Sequence, residues 1–171
     1  MDSLCDGLPR AGCLGGVTMP SDMRSNVIAD FQTQFEITIR VLVALLLGAA
    51  IGLERGIHRR PAGLRTMALV AAGAALFSAV GLAAVPSGDP TRIAAQVATG
   101  IGFLGAGAIM RHGDEVVGMT TAASIWVVAA IGMAAGFGLY LVALIATAIA
   151  LVMLLIVRGV EAQIARRGRG A

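Results

Sequence analysis

Residues 116–157 read VVGMTTAASIWVVAAIGMAAGFGLYLVALIATAIALVMLLIV, 42 consecutive positions without a charge. A helix needs about 20 apolar residues to cross the hydrocarbon core of a bilayer, so this stretch is twice the length of one crossing. It must fold back on itself. Gly136-Phe137-Gly138 is the natural break, because glycine tolerates the backbone angles of a turn. The run is continuous rather than alternating, which excludes the strands of about 10 residues that build membrane barrels. Backbone groups in lipid must be satisfied within their own segment, so both halves are helices.

Three further uncharged runs precede it. The first covers residues 41–53 and is extended outward by residues 37–40; the second runs from 66 to 85 and the third from 93 to 110. The prediction is an all-α polytopic membrane protein with five transmembrane helices. Asp89-Pro90 supplies an N-cap acceptor followed by a residue without the orphan N–H, a start signal for the third helix. Thr120 or Thr121 is expected to cap the fourth. The membrane domain then occupies residues 35–158, between an N-terminal tail (1–34) and a basic C-terminal tail (159–171). The N-terminal tail has no apolar period and no signal-peptide core, and reads as disordered or as a mis-called start, with Met19 and Met23 as alternative initiators. Cys5 and Cys13 in that tail form no CxxC pair and have no neighbouring histidine; a zinc site is not expected, and a disulfide is possible only outside the cytoplasm.

Composition agrees with a lipid environment. Apolar residues make up 57% of the chain and charged residues 13%, against about 25% charged in soluble proteins. All 13 basic residues are arginines, and they fall between the apolar runs instead of gathering on one solvated face. Nucleic-acid binding is therefore not expected. The arrangement is the one that orients membrane proteins. Arg55, Arg59, Arg60 and Arg65 in the first loop, Arg111 in the third, and Arg158, Arg166, Arg167 and Arg169 at the end share one side of a five-helix protein. Only Arg10, Arg24, Arg40 and Arg92 fall on the other. The N-terminus is thus expected outside and the C-terminus inside.

Several residues stand out as candidates for function. Gly48, Gly52 and Gly56 recur every fourth position and leave one helix face as bare backbone, the kind of face through which helices associate in lipid. Gly102 with Ala106, and Gly132 with Gly136, repeat the spacing. Tight packing and a sliding or conducting interface both fit such faces. Glu54 lies at the membrane boundary, where a carboxylate is costly unless paired, and a contact with Arg65 across the first loop is expected to satisfy it. Glu36 and Arg40, four apart, suit a surface ion pair. His58 is expected to be solvated in the arginine-rich loop. His112 with Asp114 and Glu115 offers too few oxygens for a magnesium site. Gln96 and Thr99 put polar groups one turn apart, just before the glycine run 100–107, which resembles the unwound backbone of transporters; it lacks the strand-to-helix setting of a nucleotide loop. No nucleophile, acid–base pair or redox cysteine pair is in place, so no enzymatic activity, metal or cofactor is expected.

Three motifs then acquire a family likeness. Gly52-Leu53-Glu54-Arg55 followed by Pro61-Ala62-Gly63-Leu64-Arg65-Thr66, Arg92-Ile93-Ala94-Ala95-Gln96-Val97 leading into Gly100-Ile101-Gly102-Phe103-Leu104-Gly105-Ala106-Gly107, and Gly118-Met119-Thr120-Thr121-Ala122-Ala123-Ser124-Ile125-Trp126 stand in the order and spacing of the MgtC/SapB family. The resemblance covers about residues 36–158. It implies a five-helix domain in the bacterial inner membrane, associated with growth under low magnesium and, in some intracellular pathogens, with survival in macrophages. It also implies a modulator of other membrane machinery, the proton-translocating ATP synthase among it, rather than a proven magnesium carrier. Glu54, Arg55, Pro61, Arg65, Gln96, Gly102, Gly105, Thr120 and Thr121 are the motif positions it singles out. Longer members continue into a soluble domain, and regulation through such a domain is expected to be absent here or supplied in trans.

Two functions remain in view from sequence. One is a membrane modulator whose small-residue faces bind a membrane-protein partner or a second copy. The alternative is a transporter or channel for magnesium or another ion, against which stands the lack of an acidic residue inside any span.

Overall fold

The computed structural model describes residues 31–84 and 88–168. Five helices follow in order: α1 (Phe31–Ile57), α2 (Leu64–Ala84), α3 (Pro90–Gly107), α4 (Met119–Gly136) and α5 (Tyr140–Gly168). Each coincides with one of the five apolar runs. Among the described residues, α1, α2 and α4 are long and apolar enough to cross a membrane, while residues 140–156 of α5 form a shorter apolar segment. Helix α3 is more polar, because Thr91, Arg92, Gln96 and Thr99 interrupt it. The tail positions 1–30, including Cys5 and Cys13, lie outside the described residues.

Small side chains set the packing. On α1 the buried positions are Ala44, Gly48, Ile51, Gly52 and Arg55, a stripe at helical spacing. A Cβ at Gly48 would stand 2.6 Å from the Ala71 Cβ and from the Met67 carbonyl oxygen, and one at Gly52 would stand 2.7 Å from the Leu64 Cα. On the other side of α2, a Cβ at Gly136 would stand 2.5 Å from the Ala75 carbonyl oxygen and one at Gly132 would collide with the backbone of Ala71. Ala71 is thus wedged between glycines of two different helices. Helices α1, α2 and α4 approach to backbone contact, and the core cluster of Ala44, Ile51, Met67, Val70, Ala71, Ala74, Ala75, Ile125, Val128, Ala129, Ile131 and Ala135 belongs to them, with Ala143 of α5 packed against it. Leu141, Leu144, Ile145 and Leu155 of α5 face outward, which suits a lipid-facing surface.

Helix ends are closed by recognisable devices. Asp89 accepts from the Thr91 N–H at 2.9 Å and from its hydroxyl; the Thr91 hydroxyl bond and then the backbone bond hold the Asp89 carboxyl below the usual carboxylate range. At the end of α4, Gly138 has φ +81°, Gly138 N–H donates to the Ala135 carbonyl and Leu139 N–H to the Ala134 carbonyl. This paired pattern with a left-handed residue ends the helix and starts the turn into α5. Arg40 adds a guanidinium there, donating from Nη1 to the Gly136 carbonyl at 3.1 Å, with Glu36 3.5 Å from its Nη2.

The expected threonine cap of α4 is not formed. Gly118 holds the N-cap position with φ +92° and no side-chain cap bond. It lies so close to the Ala108 carbonyl that a Cβ would collide, so glycine is required twice over, and Thr121 turns inward instead. A second departure is the connection between α3 and α4. Met110–His112 and Glu115–Val117 pair as an antiparallel hairpin, β1 and β2, with Arg111 opposite Val116. Helix α5 also continues past residue 158 to Gly168, because the arginines there end the apolar surface without breaking a helix.

Wedging predicts opposite outcomes for one chemical change. Gly132→Ala should destabilise the domain by about 1–3 kcal/mol, the cost of overpacking. Gly73→Ala, where a Cβ meets nothing within 4 Å, should stabilise it by roughly 0.5–1 kcal/mol. Reversible unfolding in mixed micelles, followed by circular dichroism, checks both.

Candidate functional site

Arg55 is the one charged side chain buried among the described residues, at 2% exposure. Its Nε donates to the carbonyls of Pro61 and Ala62 at 3.3 and 3.2 Å. Nη2 donates to the Pro61 carbonyl at 2.9 Å and to the Thr121 hydroxyl at 2.7 Å. Nη1 donates to the Ser124 hydroxyl at 3.1 Å. One side chain therefore joins the end of α1, the first loop and the first turns of α4. Hydrogen bonds to a charged group are worth about 1.5–3 kcal/mol, and the planar guanidinium meets several acceptors at once, as an ammonium cannot.

The loop it grips carries two non-glycine residues in the left-handed region, Arg59 at φ +53° and Ala62 at φ +56°. Arg59 N–H donates to the Gly56 carbonyl and Arg60 N–H to the Arg55 carbonyl, closing α1 with the pattern that usually takes glycine. A left-handed non-glycine residue costs on the order of 1–2 kcal/mol. The guanidinium bonds to Pro61 and Ala62 offset it.

Glu54 does not meet Arg65. Its carboxylate lies 3.0 Å from His58 Nδ1, one turn along α1, and the same nitrogen lies 2.8 Å from the Glu54 carbonyl oxygen. His58 is half-buried by this contact rather than solvated. Arg65 is exposed, with no ion-pair partner among the described residues. The reason is helical phase. Arg55 continues the buried stripe of Gly48 and Gly52, which turns Glu54 about 100° away.

Around Arg55 opens a cavity of about 910 Å³, lined by Glu54, His58, Arg60 and Pro61 from the first loop side, Thr120, Thr121 and Ser124 from α4, and Ile149, Met153 and Leu154 from α5. Of the remaining motif positions, Thr120 is exposed and its carbonyl accepts from Ser124 Oγ at 2.7 Å. Gly105 is the buried residue of α3 and lies against Ala122. Gln96 and Gly102 are exposed, and Gly100, Gly102 and Gly107 have open space where a Cβ would stand. Gly48, Gly52, Gly132 and Gly136 pack within the bundle, whereas Gly56 is exposed with nothing within 4 Å of its Cβ position. In the hairpin, Arg111 Nη2 lies 3.6 Å from Asp114 Oδ1, and among the described residues no three metal-ligating side chains cluster.

The bundle and its buried arginine define a helical membrane protein with small-residue packing. Residues 41–163 match the MgtC family, and this chain belongs to that family. Protein MgtC of Salmonella typhimurium LT2 is 52% identical over 117 residues, 68% of this chain and 50% of that protein. The Escherichia coli K12 protein named "Putative magnesium transporter YhiD" is 50% identical over 113 residues, 61% of this chain and 53% of that protein. Uncharacterized protein slr0014 of Synechocystis is 45% identical over 117 residues, 68% of this chain and 50% of that protein. This chain spans about half the length of the curated relatives it matches. No solved structure matches it.

The site makes a sharp prediction. Arg55→Lys keeps the charge but loses the fork, and should destabilise the domain by about 2 kcal/mol. Thermal unfolding in detergent checks it, with Arg65→Lys as the variant that should change nothing measurable.

Proposed function

We propose that this chain is a non-enzymatic, multi-pass protein of the bacterial inner membrane that modulates other membrane machinery under magnesium limitation or stress. Its first loop and C-terminus face the cytoplasm, following the nine-to-four division of arginines. The observation that supports a modulating role most is the state of α3. This helix buries only Gly105, while Gln96, Thr99, Gly100, Gly102 and Phe103 are all exposed, Phe103 at 81%. In lipid, bare backbone beside polar side chains favours a close helix–helix contact, through packing and interhelical hydrogen bonds. The occupant proposed is a transmembrane helix of the regulated protein.

One relative, the Escherichia coli K12 protein, carries a name that mentions magnesium and a transporter. A divalent cation crossing the bundle would need carboxylates or carbonyl oxygens along its path. The buried charge of this bundle is a guanidinium, which repels such an ion. Modulation is therefore the stronger reading.

Gly102→Leu should leave unfolding unchanged, because nothing in the bundle occupies that space, yet abolish both growth support under low magnesium and co-purification of a membrane partner. Loss of growth support with partner capture intact would contradict the reading. Magnesium uptake by liposomes carrying the purified chain, read with an enclosed dye, would favour transport instead.

A further inference from the structure

The cavity at Arg55 is lined by two guanidinium groups, Arg55 and Arg60, and by one carboxylate, Glu54, which is engaged with His58. A guanidinium carries five N–H groups, and one on Arg55 Nη1 has no acceptor among the described residues. Among the described residues no carboxylate forms an ion pair with it, since the Glu54 carboxylate contacts His58. The first turn of α4 faces the same space. Its N-cap is a glycine without a capping side chain, so the N–H groups of Met119, Thr120 and Thr121 find no acceptor among the described residues. A cation beside an uncapped helix N-terminus is unfavourable, and an anion at that place relieves both.

The rest of the cavity is apolar and elongated. The lining forms a slot along α4 from Val127 to Thr120 and along α5 from Ala146 to Met153. Seven residues of helix make this slot about 10 Å deep. Ile149, Ala150, Met153 and Leu154 line one wall. Its volume, about 910 Å³, lies in the range of ligand clefts, roughly 300–1,000 Å³. A soluble anion would leave the slot unused, and an acyl chain alone would leave the donors unused.

We propose that this cavity binds one anionic phospholipid, its phosphate held by Arg55, Arg60 and the first turn of α4, and one acyl chain lying between α4 and α5. The charge pattern complements that ligand, and membrane proteins use basic pockets between helices in this way. The site is independent of whether α3 docks a partner.

The test uses the full chain in mild nonionic detergent with equal phosphatidylglycerol and phosphatidylcholine, read by native mass spectrometry. One phosphatidylglycerol should be retained in preference to phosphatidylcholine. Arg60→Gln should cut that preference about fivefold, and Arg111→Gln, on the exposed hairpin, should leave it unchanged. Ala150→Phe, which fills the slot, should abolish retention while circular dichroism and melting stay as in the parent, and Gly102→Leu should retain the lipid. Equal retention of the two lipids, or a preference untouched by Arg60→Gln, would overturn the proposal. Displacement of the lipid by millimolar inorganic phosphate would overturn it too, in favour of a free-anion site.

Discussion

A guanidinium placed among packed helices cannot discharge itself, because arginine stays protonated in proteins. Its surroundings must therefore be built to hold it. In this chain the requirement falls on Arg55, and meeting it fixes three things together: the path of the first loop, the rotation of α4, and the space left beside α5. The acceptors are neutral, two carbonyls and two hydroxyls, so they orient the charge without cancelling it. That leftover charge gives the loop end of the bundle its chemical character.

Glycine and alanine carry the remaining architecture. In lipid there is little apolar driving force between helices, so close backbone approach does the work that large side chains do in soluble cores. Ala71 receives Gly48 from one side and Gly132 from the other, and the three helices that share it form the inner group. Helices α3 and α5 lie outside it. The bundle thus has a rigid centre, an uncovered polar helix and a slot, and the two surfaces that remain available are the ones assigned to recognition.

Much of this was legible in the sequence, for physical reasons. The five helices follow from run length and the break at Gly136–Gly138, and the α3 start follows from Asp89-Pro90. Glu54 and Arg55 were harder. Both stand at the boundary and adjacency does not say which faces inward; the stripe Ala44, Gly48, Ile51, Gly52, extended by its own spacing, reaches Arg55 and would have decided it. Thr121 shares a face with Ser124 and Ile125, so its hydroxyl was available to a cation rather than a cap. Gly113-Asp114 between short β-prone runs is a two-residue hairpin signal, obscured in the sequence because the apolar run conceals where α3 ends. The cavity has no sequence signature, since it depends on how far two helices separate.

Arg55 acts on α4 through the Thr121 hydroxyl. A double-mutant cycle with Arg55→Met, Thr121→Val and the two combined, read as unfolding free energy in one detergent mixture, isolates that link. A coupling of about 1–2 kcal/mol is expected, above the roughly 0.6 kcal/mol typical of neutral pairs between membrane helices. Strict additivity of the two substitutions would contradict it.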